Sequence, residues 1–240
     1  MPSLLKRISF RVAGTNNERT FTLSSVSDDG HFISLRPLIK PAGEKEVEFP
    51  FEWAFAGTNK DVDVTKVDET NVRQVFRMAF DSNVYLKVPN ASSDPVDTNW
   101  KTWDSGVLQE SGTIFPFGDD RAVEFEEIWQ PIDIESGKLI LTDSAAANGR
   151  SIVLKVTNSN KYGIIIVTGK WIQGLLGDLD DSSIKGLNFI RFVQNSDGSH
   201  QKLINYGSNV DQFPTKFDSL EKGETIDVNG VSWEVLEYHV

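Results

Sequence analysis

The amino-acid sequence predicts an all-β protein built of antiparallel barrels or sandwiches with little helix. Many short segments have strand character, and turn residues such as glycine, asparagine and proline separate them at regular intervals. One strand pattern also occurs twice, at residues 30–36 and again at residues 149–155, in a chain of 240 residues. The offset is 149 − 30 = 119 residues, close to half of the chain. The repeat therefore predicts one β-rich unit used twice.

Each copy of the repeat opens with a dipeptide that favours positive φ, Asp29-Gly30 in the first and Asn148-Gly149 in the second. Such a pair before a β-branched segment indicates a hairpin. The segments that precede the two turns also correspond, and a tryptophan follows each copy, Trp53 in one half and Trp171 in the other. We expect equivalent hairpins in the two halves.

Alternation of polar and apolar residues predicts the first strand at residues 6–12. Ile8 and Phe10 would lie on its buried face and Arg7 on the opposite face. The next strand is predicted at residues 19–26, and another at residues 83–89, where proline ends it.

The most distinctive run of the first half is aromatic. Phe49, Phe51, Trp53 and Phe55 recur with period 2, so an extended chain would place all four on one face. Such a face forms either an ordinary core or the wall of a cavity for a small apolar ligand. Trp171, preceded by several isoleucines, is the corresponding candidate in the second half. These five residues are the candidate ligand-cavity residues.

The remaining segments complete the predicted organisation. Residues 71–81 fit a strand or a helix by periodicity, and their context favours a strand. Residues 122–129 predict a strand with Glu124 and Glu126 facing water. A single helix is predicted at residues 217–222, ended by a glycine. We predict an N-terminal domain at residues 1–108 and a C-terminal domain at residues 109–240.

The charge and composition exclude several classes of protein. A net charge of −11 repels phosphate backbones and anionic lipids, so nucleic acid is not an expected partner. A basic protein surface is a more natural partner. The alternative is that the acidic surface only keeps the protein soluble. The absence of cysteine excludes disulfides. The longest apolar run is far shorter than the about 20 residues of a membrane helix, and no secretory signal precedes the first strand, so we expect a cytosolic protein.

No motif for catalysis or for a cofactor is present. The sequence lacks the Gly-x-Ser-x-Gly nucleophile turn and the glycine patterns that bind phosphate. Its three histidines do not show metal-site spacing. Residues 178–183 resemble the start of a calcium loop, but Ser183 and Phe189 stand where glycine and glutamate are needed. Serines follow acids in this loop, a pattern that an acid-directed kinase could modify. We expect no catalytic residues, no metal and no cofactor.

Several stretches in combination point to a known family. They are residues 17–27, 49–59, 103–106, 169–174, 186–191 and 233–235. Together they resemble the small fungal family known as interactors of the budding-yeast casein kinase I homologue, the Hrr-interacting protein family. The resemblance covers essentially the whole chain. It implies two tandem lipocalin-like β-barrels, a cytoplasmic and nuclear location and a kinase partner. It implies no established activity, and no histidine here suits the axial position that haem-binding relatives of this barrel shape use.

These observations lead to one main functional prediction and one alternative. The main prediction is a non-enzymatic interaction protein, an adaptor or regulator that binds a protein kinase of casein kinase I type. The alternative is a carrier or sensor of a small apolar ligand bound inside one or both barrels. An enzyme is the third and weakest interpretation.

Overall fold

The structure is a computed structural model that describes residues 1–115, 121–140 and 149–240. It is an all-β protein of curled antiparallel sheets that form a half-barrel, with 53% strand and 8% helix, and this confirms the predicted fold class. The turn residue Asn148 and most of the segment predicted to precede it lie outside the described residues.

The first sheet contains eleven strands, which follow one another in space in the order β6-β7-β9-β10-β11-β1-β3-β4-β5-β8, with β2 beside β1. The helices α1 (Gly43–Glu48) and α2 (Ser82–Tyr85) lie in its connections. The eleven strands are β1 (Ser3–Val12), β2 (Thr15–Asn16), β3 (Leu23–Val26), β4 (His31–Pro37), β5 (Phe51–Thr58), β6 (Val62–Lys66), β7 (Asn71–Phe76), β8 (Phe80–Asp81), β9 (Val96–Thr102), β10 (Leu108–Ile114) and β11 (Val123–Ile132).

The second sheet contains seven strands in the order β16-β15-β14-β13-β12-β18-β17. Five of them form a meander, and β18 returns to pair with the first strand of that meander. The seven strands are β12 (Ser151–Val156), β13 (Lys161–Thr168), β14 (Trp171–Asp178), β15 (Leu187–Gln194), β16 (His200–Tyr206), β17 (Thr225–Val228) and β18 (Val231–His239).

The first sheet continues beyond residue 108. The division predicted between residues 108 and 109 falls at the start of β10, and β10 pairs with both β9 and β11. β11 in turn pairs with β1, which therefore lies between β11 and β3. The hydrogen-bonded pairing of the first sheet thus reaches Ile132, and that of the second begins at Ser151.

The two sheets pack face to face through a shared apolar core. Ile33 and Leu35 of β4 belong to the same buried cluster as Ile164 and Phe189 of the second sheet. The rings of Phe51 and Phe189 lie 4.7 Å apart across this interface. A second cluster fills the concave side of the second sheet and contains the fully buried Trp233. Burial of this apolar area holds the sheets together.

A β-bulge changes the buried face of β1. The register with β11 shifts between Arg7 and Ser9, so Ile8 is an extra residue in the ladder. Arg7 is consequently buried on the same face as Phe10 and is 1% exposed, whereas Ile8 is 48% exposed. The prediction that Ile8 lies inside and Arg7 outside is therefore wrong.

Two predicted elements differ from the structure. Residues 83–89 do not form a strand, because the Asp81 carboxylate accepts hydrogen bonds from the amides of Asn83 and Val84 and starts α2. The helix predicted at residues 217–222 is a series of turns. Ser219 there has a φ of 68°, which interrupts a right-handed helix, and the amide of Gly223 bonds to the carbonyl of Val235.

Candidate functional site

The four aromatic residues predicted to share one face lie on two faces. Trp53 pairs with Arg36 on β4, but Phe51 pairs with the very next residue of that strand. Glu52 is therefore an extra residue, which reverses the alternation. Phe51 packs in the core between the sheets, whereas Trp53 and Phe55 pack around Arg36 inside the first sheet.

The other candidate ligand-cavity residues belong to separate surroundings. Phe49 is half-buried, and its ring lies 6.2 Å from that of Phe189. Trp171 packs against a third apolar cluster, near the opposite end of the interface, and its Nε1 is buried without a hydrogen-bond partner. The structure therefore does not bring the five residues into one site. The cluster around Trp171 consists of Leu4, Leu23, Ile132 and Ile134.

The inner side of the first sheet contains a buried network of charges. Arg7 Nη1 donates to Glu127 Oε1 at 2.6 Å, and Arg36 Nη1 donates to the same oxygen at 2.7 Å. Arg7 also donates to Glu18 at 2.8 Å and to Glu52 at 3.0 Å. One carboxylate thus joins two guanidinium groups, and the network connects β1, β4, β5 and β11.

Aromatic rings surround the Arg36 guanidinium. Its Cζ lies 4.8 Å from the centre of the Trp53 ring, 5.4 Å from that of Phe55 and 5.9 Å from that of Trp129. A planar guanidinium stacks favourably on such rings. The Arg36 side chain therefore lies in the interior that the sequence predicted as a possible ligand cavity.

A neighbouring carboxyl, Glu110, lies opposite Glu127 on the adjacent strand and accepts a hydrogen bond from Trp129 Nε1 at 3.0 Å. Burial and the charge of Glu127 raise the pKa of Glu110. Burial also opposes ionisation of Glu127, but Arg36 and Arg7 outweigh it and lower the pKa of Glu127. Glu110 therefore holds a proton more strongly than Glu127 does.

A carboxylate pair with divergent pKa values is a pattern of acid–base catalysis. Glu110 and Glu127 are 9% and 3% exposed, and both are fixed by neighbouring side chains. Neither residue lines the two clefts described below. The geometry suits a structural network that aligns strands better than it suits access by a substrate.

Two further buried polar groups connect the sheets. Arg191 of β15 donates to the carbonyl of Phe21, which precedes β3, at 2.9 Å, to that of Leu35 in β4 at 2.8 Å, and to Gln173 Oε1 at 2.8 Å. Burial lowers its pKa to about 9, which still leaves the guanidinium charged at pH 7. The second group is Glu237 of β18.

The Glu237 carboxylate binds the turn between β3 and β4. It accepts hydrogen bonds from Ser27 Oγ at 2.6 Å, from Ser151 Oγ, and from the backbone amides of residues 28 and 29 at 3.0 and 3.1 Å. Burial raises the pKa of this carboxyl, but His31, whose Nδ1 lies at 3.7 Å, and these donors outweigh burial and lower the pKa to about 2.

Two clefts open on the described surface. One, of about 520 Å³, lies over β9, β10 and β11, and the other, of about 430 Å³, lies at the edge of the second sheet. None of the five candidate ligand-cavity residues lines either cleft. Within residues 1–115, 121–140 and 149–240, no group of three or more His, Asp or Glu side chains is placed to hold a metal ion. No helix in these ranges has the length and apolar character needed to cross a bilayer.

The acidic loop at the end of β14, residues 178–183, is partly exposed and is held in place by other segments. Tyr85 Oη of α2 donates to the carbonyl of Asp178 at 2.7 Å and also contacts that of Asp181. The Leu179 side chain is 49% exposed, and Asp180 is exposed beside it. The loop thus presents acidic groups around an apolar side chain.

Sequence reasoning missed Glu127 and Arg191 as interior residues. A signal for Glu127 was present, because it lies two residues from both Phe125 and Trp129, which are buried on the same face of β11. Arg191 lies in a segment of apolar residues, and its burial depends on acceptors from a distant part of the chain.

Comparison with known proteins gives a consistent result. A family model described as Protein HRI1 matches residues 3–237. Proteins HRI1 from Saccharomyces cerevisiae strains YJM789 and RM11-1a are each 49% identical over 244 residues, covering 100% of both chains. The crystal structure of the uncharacterized protein YLR301w from Saccharomyces cerevisiae superposes with a TM-score of 0.93 at 48% identity, again covering 100% of both chains. The chain therefore belongs to the Protein HRI1 family.

Proposed function

We propose that this protein is a non-enzymatic interaction protein that binds a protein kinase of casein kinase I type in the cytoplasm and nucleus. The observation that carries the proposal is the acidic loop at residues 178–183, in which the exposed Leu179 and Asp180 lie between the half-buried Asp178 and Asp181. A basic surface on the partner complements this loop in charge, and Leu179 supplies an apolar contact at its centre.

Contacts within the protein hold the loop in one conformation in the absence of a partner. Lys161 Nζ lies 3.3 Å from the Asp178 carboxylate, and the amide of Leu179 donates to the carbonyl of Asn160 at 2.8 Å. The Asp181 carboxylate accepts from the amide of Ser183 at 3.0 Å. A preordered loop loses little conformational entropy on binding, so more of the contact free energy contributes to affinity.

Two further observations support the proposal. The resemblance described above associates chains of this type with a casein kinase I homologue, and the net charge of −11 favours association with a basic surface. The carboxyl pair of the described interior, Glu110 and Glu127, is buried and engaged in hydrogen bonds. These groups support a structural role and give no support to an enzyme.

The test is a binding titration of the purified protein with a purified kinase of this type, measured by calorimetry at two salt concentrations. Asp180→Lys reverses an exposed charge in the loop and should weaken binding about tenfold, with a reduced dependence on salt. Asp104→Lys is the matched control, because Asp104 is an exposed acid in another turn. Absence of binding by the unmodified protein would refute the proposal. Equal losses in both variants would refute the role of the loop.

A second candidate function is carriage of a small ligand in the interior of the first sheet, around Arg36. Arg36 Nε and Ser34 Oγ are buried there without partners, and Trp53 Nε1, although near the Asp81 carboxylate, makes no hydrogen bond within 3.5 Å. A largely apolar ligand that carries acceptor atoms would give these three groups hydrogen-bond partners. Native mass spectrometry of gently purified protein would detect it as excess mass that is lost on denaturation. Trp53→Ala should remove the excess, and an unliganded mass for the unmodified protein would contradict this function.

A further inference from the structure

The two edge strands of the second sheet line one cleft. Strands β16 and β17 stand at opposite ends of the sheet and do not pair with each other. Lys202 of β16 and both Ile226 and Val228 of β17 nevertheless line the same opening, with residues 210–216 between them. The curled sheet thus brings its two edge strands close to each other. We call the cleft of about 430 Å³ between them the seam cleft.

The floor of this seam cleft is apolar. Phe192 and Phe213 are 4% and 2% exposed and belong to the core of the second sheet. Ile226 and Val228 are half-buried and pack against the same core. The volume falls within the roughly 300–1,000 Å³ of typical small-molecule sites, which are mostly apolar with a few polar groups.

The rim of the seam cleft is basic, in contrast to the chain as a whole. Lys202 and Lys216 are both exposed at the cleft. Within the described part of the chain, the lysines that lie within 4.0 Å of a carboxylate are Lys161 and Lys222. The two lysines of the rim therefore have no carboxylate partner among these residues.

One acid shares the rim, and it limits the charge of a suitable ligand. Asp211 also lines the cleft, and its carboxylate accepts a hydrogen bond from Asn229 Nδ2 at 3.2 Å. Two lysines and one aspartate leave a local charge of +1, although the chain carries −11. A ligand with a single negative charge matches this rim, whereas the second negative charge of a dianion would be repelled by the Asp211 carboxylate.

We propose that the seam cleft binds an aliphatic monocarboxylic acid of medium chain length. The carboxylate pairs with Lys202 and Lys216, and the aliphatic chain lies on Phe213, Ile226 and Val228. Charge-assisted hydrogen bonds orient the head, and burial of the chain supplies the affinity. This site uses neither the acidic loop of residues 178–183 nor the interior of the first sheet around Arg36, so it is independent of both functions proposed above.

The test is a titration of the full chain with decanoate, in which binding is monitored by amide chemical shifts and by calorimetry. Decanol and decylammonium, which share the chain but not the negative head, serve as ligand controls. We expect shifts centred on residues 202–216 and 225–228, and binding at least tenfold weaker for the two control ligands. Shifts centred elsewhere, or equal binding of decanol and decanoate, would overturn the proposal.

Variants of the rim test the head group without disturbing the core. The double variant Lys202→Glu, Lys216→Glu changes two exposed side chains and should weaken decanoate binding at least tenfold while leaving decanol binding unchanged. Lys185→Glu is the matched control, since Lys185 is an exposed lysine away from the cleft, and it should bind decanoate as the unmodified protein does. Unchanged decanoate binding by the double variant would contradict the assignment.

Discussion

Arg191 Nη2 lies 2.8 Å from the backbone oxygen of Leu35, so a guanidinium of the second sheet is hydrogen-bonded to a buried strand of the first. Leu35 itself is fully buried between the sheets. The two sheets are therefore joined by directional bonds as well as by apolar contact, and these bonds fix how one sheet is placed on the other.

Replacement of Arg191 should destabilise the whole molecule. Arg191→Met fills much of the same volume but removes the donor of the Phe21 carbonyl and of the Gln173 side-chain oxygen, and one donor of the Leu35 carbonyl, which also lies in the β3–β4 ladder. Each unsatisfied buried acceptor costs about 1–3 kcal/mol, so we expect a loss of about 3 kcal/mol or more in the free energy of unfolding. Urea denaturation measures it. Stability equal to that of the unmodified protein would show that these bonds contribute nothing net.

Glu237 should make the protein sensitive to acid. Its pKa in the folded state is about 2, below the value of 4.5 expected when unfolded. A lowered pKa means that the carboxylate stabilises the fold above about pH 4.5 and that this contribution is lost as the pH falls towards 2. Glu237→Gln should therefore reduce stability at pH 7 by about 3 kcal/mol and flatten the pH dependence in that window. Urea midpoints from pH 2 to pH 7 test both parts, and a parallel decline in the variant would contradict the assignment.

Glu110 should have the opposite effect on pH dependence. Its raised pKa means that the folded state retains a proton that the unfolded chain releases. Stability from this group is fully present below about pH 4.5 and is lost as the pH rises through the raised pKa. Glu110→Gln keeps an acceptor for Trp129 but cannot ionise. We expect the variant to be about 1–3 kcal/mol more stable than the unmodified protein at pH 9 and similar at pH 4. Lower stability of the variant at both pH values would exclude this explanation.

Gly57 should not tolerate a side chain. A Cβ at this position would lie 2.5 Å from Phe32 Cζ. Phe32 is itself packed edge-on against Phe55 and Phe76, with ring centres 6.4 and 6.2 Å away. Gly57→Ala should therefore cost about 1–3 kcal/mol in thermal or urea unfolding. The double variant with Phe32→Leu makes space for the methyl group, so its loss should be smaller than the sum of the two single losses. Simple additivity would mean that the clash is absent.

The fold class followed from short-range patterns, whereas the arrangement of side chains did not. Alternation and turn residues identified strands such as β1 and β12, since these patterns arise within a few residues. The bulges at Ile8 and Glu52 are invisible to such patterns, because each depends on the partner strand. One extra residue exchanges the two faces of everything beyond it. For this reason Arg7 and the aromatic run were assigned to the wrong faces.

The buried charges could be recognised from the sequence only in part, for a related reason. Glu127 lies in an alternating strand rich in acids, and its burial is possible because Arg7 and Arg36 approach from strands that are distant in sequence. Asp81 similarly caps a helix in a segment whose composition favours a strand. Local composition predicts the elements well when no long-range partner competes with it.

The position of β1 between β11 and β3 has a consequence for how the protein folds as it is made. Leu4 pairs with Ile132, a separation of 132 − 4 = 128 residues, so β1 cannot pair with one of its two neighbours until β11 has been synthesised. Pairing over such a distance is slow, because the loop must close before the contacts form. During that interval one edge of β1 remains open to other chains, and a chaperone that shields β1 in the nascent chain would raise the yield of folded protein.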